Sequence, residues 1–125
     1  MATLKTILAL GSTIPNNVVS SSLLTTITKN NTVTAGGVLA ITIDAITEGT
    51  AITLLTAGYH PLGTKVYLRN LETTAKTLKF KCTGDVNYEI ILKPLQWAFF
   101  PWTAAEDVKV FASAAGTRLE YGTFS

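Results

Sequence analysis

The chain has 125 residues, of which 47% are hydrophobic and only 14% charged, with a formal charge of +2. That length suffices for one domain with its own core, and so balanced a chain, with no Lys/Arg block, excludes a nucleic-acid footprint. Its charge content lies well below the roughly 25% of an average soluble domain, which implies surface covered in an oligomer, with threonine, the commonest residue, suited to exposed strand positions.

In chain order the pattern is one of short strands punctuated by turn residues. Thr3–Leu10 comes first, broken by Gly11-Ser12 and Pro15-Asn16-Asn17. Lys5 ahead of Ile7-Leu8-Ala9-Leu10 resembles a leader only faintly, because that apolar run is shorter than the seven or more residues a signal core requires. Synthesis in the cytoplasm without a signal peptide is therefore expected. No stretch approaches the roughly 18 apolar residues that span a bilayer, so no membrane is expected as a partner. Val18–Thr28 reads as extended and ends at Lys29-Asn30-Asn31. Thr32–Ile46 follows, with Gly36-Gly37 as a bulge or bend and with Leu39, Ile41 and Ile43 facing inward.

Ala51–Leu55 is a further strand, although Ile52-Thr53-Leu54-Leu55 also fits a single helical turn. Tyr59–Gly63 is a loop. Lys65–Leu71, Thr77–Cys82, Tyr88–Lys93, Gln96–Phe100, Val108–Ala112 and Arg118–Phe124 complete the set, and Pro101 closes the fourth of these. In Thr77–Cys82 the alternation sets Lys79 and Lys81 toward solvent and Leu78, Phe80 and Cys82 toward the core. About ten strands at such spacing predict an all-β fold with little or no helix, a single antiparallel β-sandwich of jelly-roll-like topology over residues 1–125. Val66, Leu68, Ile90, Leu92, Val108, Val110, Leu119 and Tyr121 join the expected interior. Residues 1–14 are a candidate docking strand or arm.

Reactive chemistry is sparse. His60, the only histidine, sits in a turn-like Tyr-His-Pro-Leu-Gly setting with no nucleophile and third group marked out for it. One His, one Cys and scattered carboxylates give no zinc-type spacing. Glu106 and Asp107, adjacent in an extended segment, point to opposite faces rather than across a cleft. Gly36-Gly37 lacks the Lys-Ser/Thr of a phosphate loop. No catalytic, metal or cofactor site is expected, and the chain reads as a non-enzyme.

The aromatics tell more. Tyr88–Phe124 holds both tryptophans, four of the five phenylalanines and two of the four tyrosines. The run Trp97-Ala98-Phe99-Phe100-Pro101-Trp102 is too apolar for an ordinary solvated sheet surface, which points to contact with another chain. Trp97, Phe99, Phe100, Trp102, Phe111 and Phe124, with Leu4 and Leu8 from the first strand, are the candidate interface. Trp97, Trp102 and Tyr121 could instead stack on sugar rings as a carbohydrate-binding module does.

The order of Val66-Tyr67-Leu68-Arg69-Asn70-Leu71, Thr77-Leu78-Lys79-Phe80, Ile90-Ile91-Leu92-Lys93-Pro94, Trp97-Ala98-Phe99-Phe100-Pro101, Val108-Lys109-Val110-Phe111-Ala112 and Leu119-Glu120-Tyr121-Gly122-Thr123-Phe124 resembles small virion structural proteins of tailed bacteriophages. In those proteins a strand ending in Arg/Lys-Asn opens the module, a Pro-Gly-Glu-Phe-Ala-Phe-Phe-Pro-like segment lies in the middle and a Leu-Glu-Tyr strand closes it. Leu95-Gln96 stands here where Gly-Glu is commoner. The resemblance implies a capsid decoration (cement) subunit, or a tail or fibre accessory, localised in the virion. It would be a homo-oligomer, a trimer first, docked on the major capsid protein or another virion protein. It implies no catalytic residues.

Overall fold

The computed structural model describes residues 2–10, 25–33, 36–84 and 90–125, with side chains from residue 37 onward. The chain divides into two compact units, Met1–Thr34 and Ala35–Ser125. In the first, strands β1 (Ala2–Leu10) and β2 (Thr25–Val33) form an antiparallel pair running from Ala2↔Val33 to Leu10↔Thr25. The break expected at Lys29-Asn30-Asn31 does not occur. These residues pair with Thr6, Lys5 and Leu4, so ladder hydrogen bonding to a partner strand overrides their turn preference.

The second unit is a sandwich of two antiparallel four-stranded sheets. Its strands are β3 (Gly36–Ile43), β4 (Ile52–Leu55), β5 (Lys65–Asn70), β6 (Leu78–Cys82), β7 (Ile90–Leu92), β8 (Trp97–Pro101), β9 (Val108–Ala112) and β10 (Thr117–Phe124). The front sheet has the order β3-β10-β5-β8 and the back sheet β4-β9-β6-β7. The pairings are nested: β6 with β7, β5 with β8, β4 with β9, β3 with β10, alternating between sheets. That is the jelly-roll arrangement, two interleaved Greek keys. Among the described residues the helical content is one 3-10 turn, Glu48–Thr50, and Ile52-Thr53-Leu54-Leu55 is a strand.

Period-two alternation builds the core between the sheets. Ile43, Val66, Leu68, Leu78, Phe80, Val110, Ala112 and Leu119 are wholly buried, with Val108, Leu92 and Leu55 nearly so. Ile41, Ile90 and Tyr121 pack against this cluster while half-buried, as does Cys82. Leu39 departs from expectation at 52% exposed. It lies on an edge strand, where a side chain is covered from one flank only.

Buried polar groups fasten the layers. Asn70 is wholly buried on β5. Its Nδ2 donates to the carbonyls of Lys76 (2.8 Å) and Leu92 (3.0 Å), and its Oδ1 accepts from the backbone N–H of Glu72 at 3.0 Å. Glu72 Oε1 in turn accepts from the backbone N–H of Arg118 at 2.8 Å and from its Nε at 3.3 Å. Lys93-Pro94-Leu95-Gln96 forms a tight turn closed by Gln96 N–H to Lys93 O at 3.0 Å. Pro94 sets its first corner and Leu95 takes the second with φ 63°, the left-handed corner of a type II turn that ordinarily calls for glycine.

Candidate functional site

The front sheet turns its inner residues to the core and leaves an outer face whose composition follows from register alone. On β8, Ala98 and Phe100 pack inward, so Trp97, Phe99 and Pro101 point outward. On β5 the outward positions are Arg69, Tyr67 and Lys65, opposite Trp97, Phe99 and Pro101 respectively. β10 continues the rows with Glu120, Gly122 and Phe124, and β3 ends them with Ala40, Val38 and Gly36. Across the sheet the rows therefore read Trp97-Arg69-Glu120-Ala40, Phe99-Tyr67-Gly122-Val38 and Pro101-Lys65-Phe124-Gly36.

Trp97 is 55% exposed and Val38 51%; Phe99, Tyr67, Arg69, Glu120 and Phe124 are half-buried. Tyr67 donates its hydroxyl to Glu120 Oε1 at 2.8 Å. Burial first, and then this hydrogen bond and the Glu120 charge, push the phenol above its ordinary value, so the proton stays on Tyr67. The Arg69 Nε is shielded from solvent and makes no hydrogen bond.

The candidates named from sequence part company here. Trp97, Phe99 and Phe124 share the front outer face. Phe111 lies on the outer face of the back sheet, with Lys79 Nζ 5.6 Å over its ring. Phe100 packs toward the core. Trp102 is 4% exposed, its indole N–H donating to Glu106 O at 3.2 Å and its ring meeting His60 edge-on at 5.5 Å. It is a core residue, because it keeps the inward parity of Ala98 and Phe100, its backbone N–H donating to Thr64 O at 2.8 Å, and a buried indole needs an acceptor such as Glu106 O. Tyr121 faces the interior side of β10, so Trp97, Trp102 and Tyr121 do not form one stacking platform. Leu4 and Leu8 lie on β1, their side chains outside the described part of the molecule, as are residues 11–14 of the candidate arm.

Tyr67, Arg69 and Glu120 were not singled out by sequence reading. Alternation in Lys65–Asn70 and Arg118–Phe124 marks them as outward, but their place beside Trp97 depends on sheet order.

Three of the described acidic residues fasten loops. Asp107 Oδ1 accepts from Ala57 N–H at 2.7 Å, Glu106 Oε2 from Gly84 N–H at 3.0 Å and Asp44 Oδ1 from Gly116 N–H at 2.9 Å. Glu48 pairs with Lys81 at 2.6 Å on the back sheet. Among the described residues no three His, Cys, Asp or Glu side chains gather as a metal site. An apolar recess between the sheets, lined by Phe80, Lys81, Cys82, Ile90, Phe100 and Val108, has Lys81 as its one charged residue and no convergent set of polar groups. No described helix is long and apolar enough to cross a membrane. Comparison with protein-family profiles and with curated proteins returns no match to this chain.

Proposed function

We propose that the chain is a non-enzymatic structural subunit of a bacteriophage virion, most simply a head decoration (cement) protein that acts by self-association and by docking on the shell. The observation that supports it is the front outer face: Trp97, Phe99, Tyr67 and Phe124 lie together on a regular sheet surface, while Asp44, Glu106 and Asp107 are spent on loops. Such a surface gains free energy by being covered. The N-terminal unit, compact in itself, supplies the docking element. Because β1 pairs with β2, removing residues 2–14 alone would strand β2, so the informative deletion is 2–34. The expected result is a folded jelly roll that no longer joins purified particles. Absence of the full-length chain from such particles, by mass spectrometry, would sink the virion reading.

A second reading, glycan binding, is favoured by Trp97 standing next to Arg69, with Glu120 beyond it in the same row, an aromatic face beside hydrogen-bonding groups. A glycan array would test it, with binding lost in Trp97→Ala. Trp102→Ala is the wrong probe, since that ring is buried.

A further inference from the structure

We infer that the outer face of the front sheet is self-complementary and seats a second copy of this chain about a two-fold axis running parallel to the strands, between β5 and β10. This deepens the assembly reading and rests on it for self-association alone, not for location in a virion.

Size and charge are distributed unevenly across the rows. The β8 and β5 half of the face carries bulky side chains: Trp97, Phe99, Tyr67 and Arg69. At the far edge β3 carries smaller ones at matching heights, Ala40, Val38 and Gly36, while β10 between them carries Glu120, Phe124 and Gly122, the last covered by Gly37 and Val38. A two-fold axis parallel to the strands lays β8 over the second copy's β3 and β5 over its β10, and keeps each row over itself. Trp97 then meets Ala40, Phe99 meets Val38 and Pro101 meets Gly36. Between β8 of one copy and β3 of the other each larger residue faces a smaller one, which suits an isologous contact of a single surface with itself.

Charge selects the same axis. In the row Trp97-Arg69-Glu120-Ala40 this rotation sets Arg69 of each copy against Glu120 of the other. Lys65 comes over Phe124, a cation over an aromatic ring. The other in-plane axis, perpendicular to the strands, exchanges the first and third rows. It would place Arg69 against Lys65 and Trp97 against Pro101, a like-charge contact that costs free energy once desolvated. The carboxylate that receives the second copy's guanidinium is already oriented by Tyr67 at 2.8 Å, so less side-chain entropy is lost on pairing. The geometry thus yields a pair rather than the trimer that the family resemblance implies.

The test uses the full chain and two variants, Arg69→Glu and Glu120→Arg, each at tens of micromolar, followed by sedimentation velocity with circular dichroism as the folding control. The wild type should sediment as a pair. Each variant alone should associate at least about tenfold more weakly, because both cross-contacts become like-charged. Mixed in equal amounts, the two variants should pair again: every contact between copies then joins opposite charges, while the charges within each copy remain alike. Recovery by mixing therefore cannot come from repair of the fold.

Ala40→Arg, at an exposed position on the edge strand, should also block pairing, and it replaces the charge variants if either fails to fold. A monomeric wild type, a three-fold mass, or a mixture that stays monomeric overturns the inference. So does a monomer that binds glycans through Trp97. A monomer that still enters particles sinks this pairing and leaves the virion reading standing; a pair absent from particles does the reverse.

Discussion

The side chain of Asn70, on the front sheet, donates to the carbonyl of Leu92, on the back sheet, at 3.0 Å, so one buried amide ties the two layers directly. The same side chain also serves Lys76 and Glu72. Replacing it leaves up to three buried backbone groups without partners, each costing about 1–3 kcal/mol when unmet. Asn70→Ala is expected to lose about 3 kcal/mol in urea unfolding, after relaxation and water entry at the loop side. A loss below about 1 kcal/mol would show that the amide is not the tie it looks to be.

Leu95 stands at the left-handed corner of a Pro-initiated turn with φ 63° and with its side chain 53% exposed. Left-handed backbone costs an L-residue about 1–2 kcal/mol, and glycine returns part of that gain through the freer unfolded chain. Leu95→Gly is therefore expected to stabilise the fold by about 0.5–1 kcal/mol, read as a higher urea midpoint at unchanged slope. A lower midpoint would mean that Leu95 makes a contact worth more than its strain.

Gly122 makes the opposite case. A Cβ built there would lie 2.5 Å from the carbonyl oxygen of Gly37 and 3.0 Å from a Val38 methyl. The first obstacle is backbone and cannot swing away. Gly122→Ala should destabilise by about 1–3 kcal/mol, the usual range for overpacking, and should loosen β3 from β10 first. Hydrogen exchange of the β3 amides measures this, and unchanged protection would count against it.

The carboxyl of Glu72 is held below its usual 4.5, chiefly by the backbone N–H of Arg118 and further by the Arg118 guanidinium, against the opposing effect of burial. A depressed folded value means the group stabilises the fold above its unfolded pKa and loses that contribution as pH falls through the lowered value. Stability should thus decline on acidification below about pH 4.5, and Glu72→Gln should flatten this limb. Chemical denaturation at a series of pH values reads the difference in slope; parallel curves for the two proteins would remove Glu72 from the account.

Trp97 and Trp102 separate two roles within one short run. Trp102→Ala should cost about 3–5 kcal/mol of stability, as loss of a large buried aromatic does. Trp97→Ala should leave the thermal midpoint of the isolated monomer nearly unchanged. Equal effects would mean that the outward face is not a free surface.

How far the sequence carries this fold can be judged from the same run. Odd positions Trp97, Phe99 and Pro101 face out, while even positions Ala98, Phe100 and Trp102 turn in, so the two tryptophans that the sequence reading grouped in one interface belong to opposite sides, a distinction that parity carried and the apolar character of the whole run obscured. Alternation likewise placed Leu78, Phe80, Val108 and Val110 in the core, because both sheets have one dry face. It could not show that Leu39 sits on an edge, since strand position within a sheet is not a local property. Nor could it bring Arg69 and Glu120 beside Trp97, as these three meet through strands far apart in sequence. Lys29-Asn30-Asn31 misled for a related reason: its turn chemistry is local, whereas the pairing with β1 that holds it straight is not.

The nested pairing has a kinetic consequence. Only β6 and β7 close a short segment; β5 with β8, β4 with β9 and finally β3 with β10 each enclose the previous pair in a longer stretch of chain. Loop closure costs rise with each enclosure, so the sandwich is expected to zip outward from the β6–β7 hairpin, slowly, as high-contact-order β proteins do. Its last step joins Gly36 to Phe124, which a ribosome releases only after every other strand of the sandwich. Nascent chains stalled before β10 should therefore remain protease-sensitive along β3 while β6 is already protected, and protection appearing in the reverse order would exclude this route.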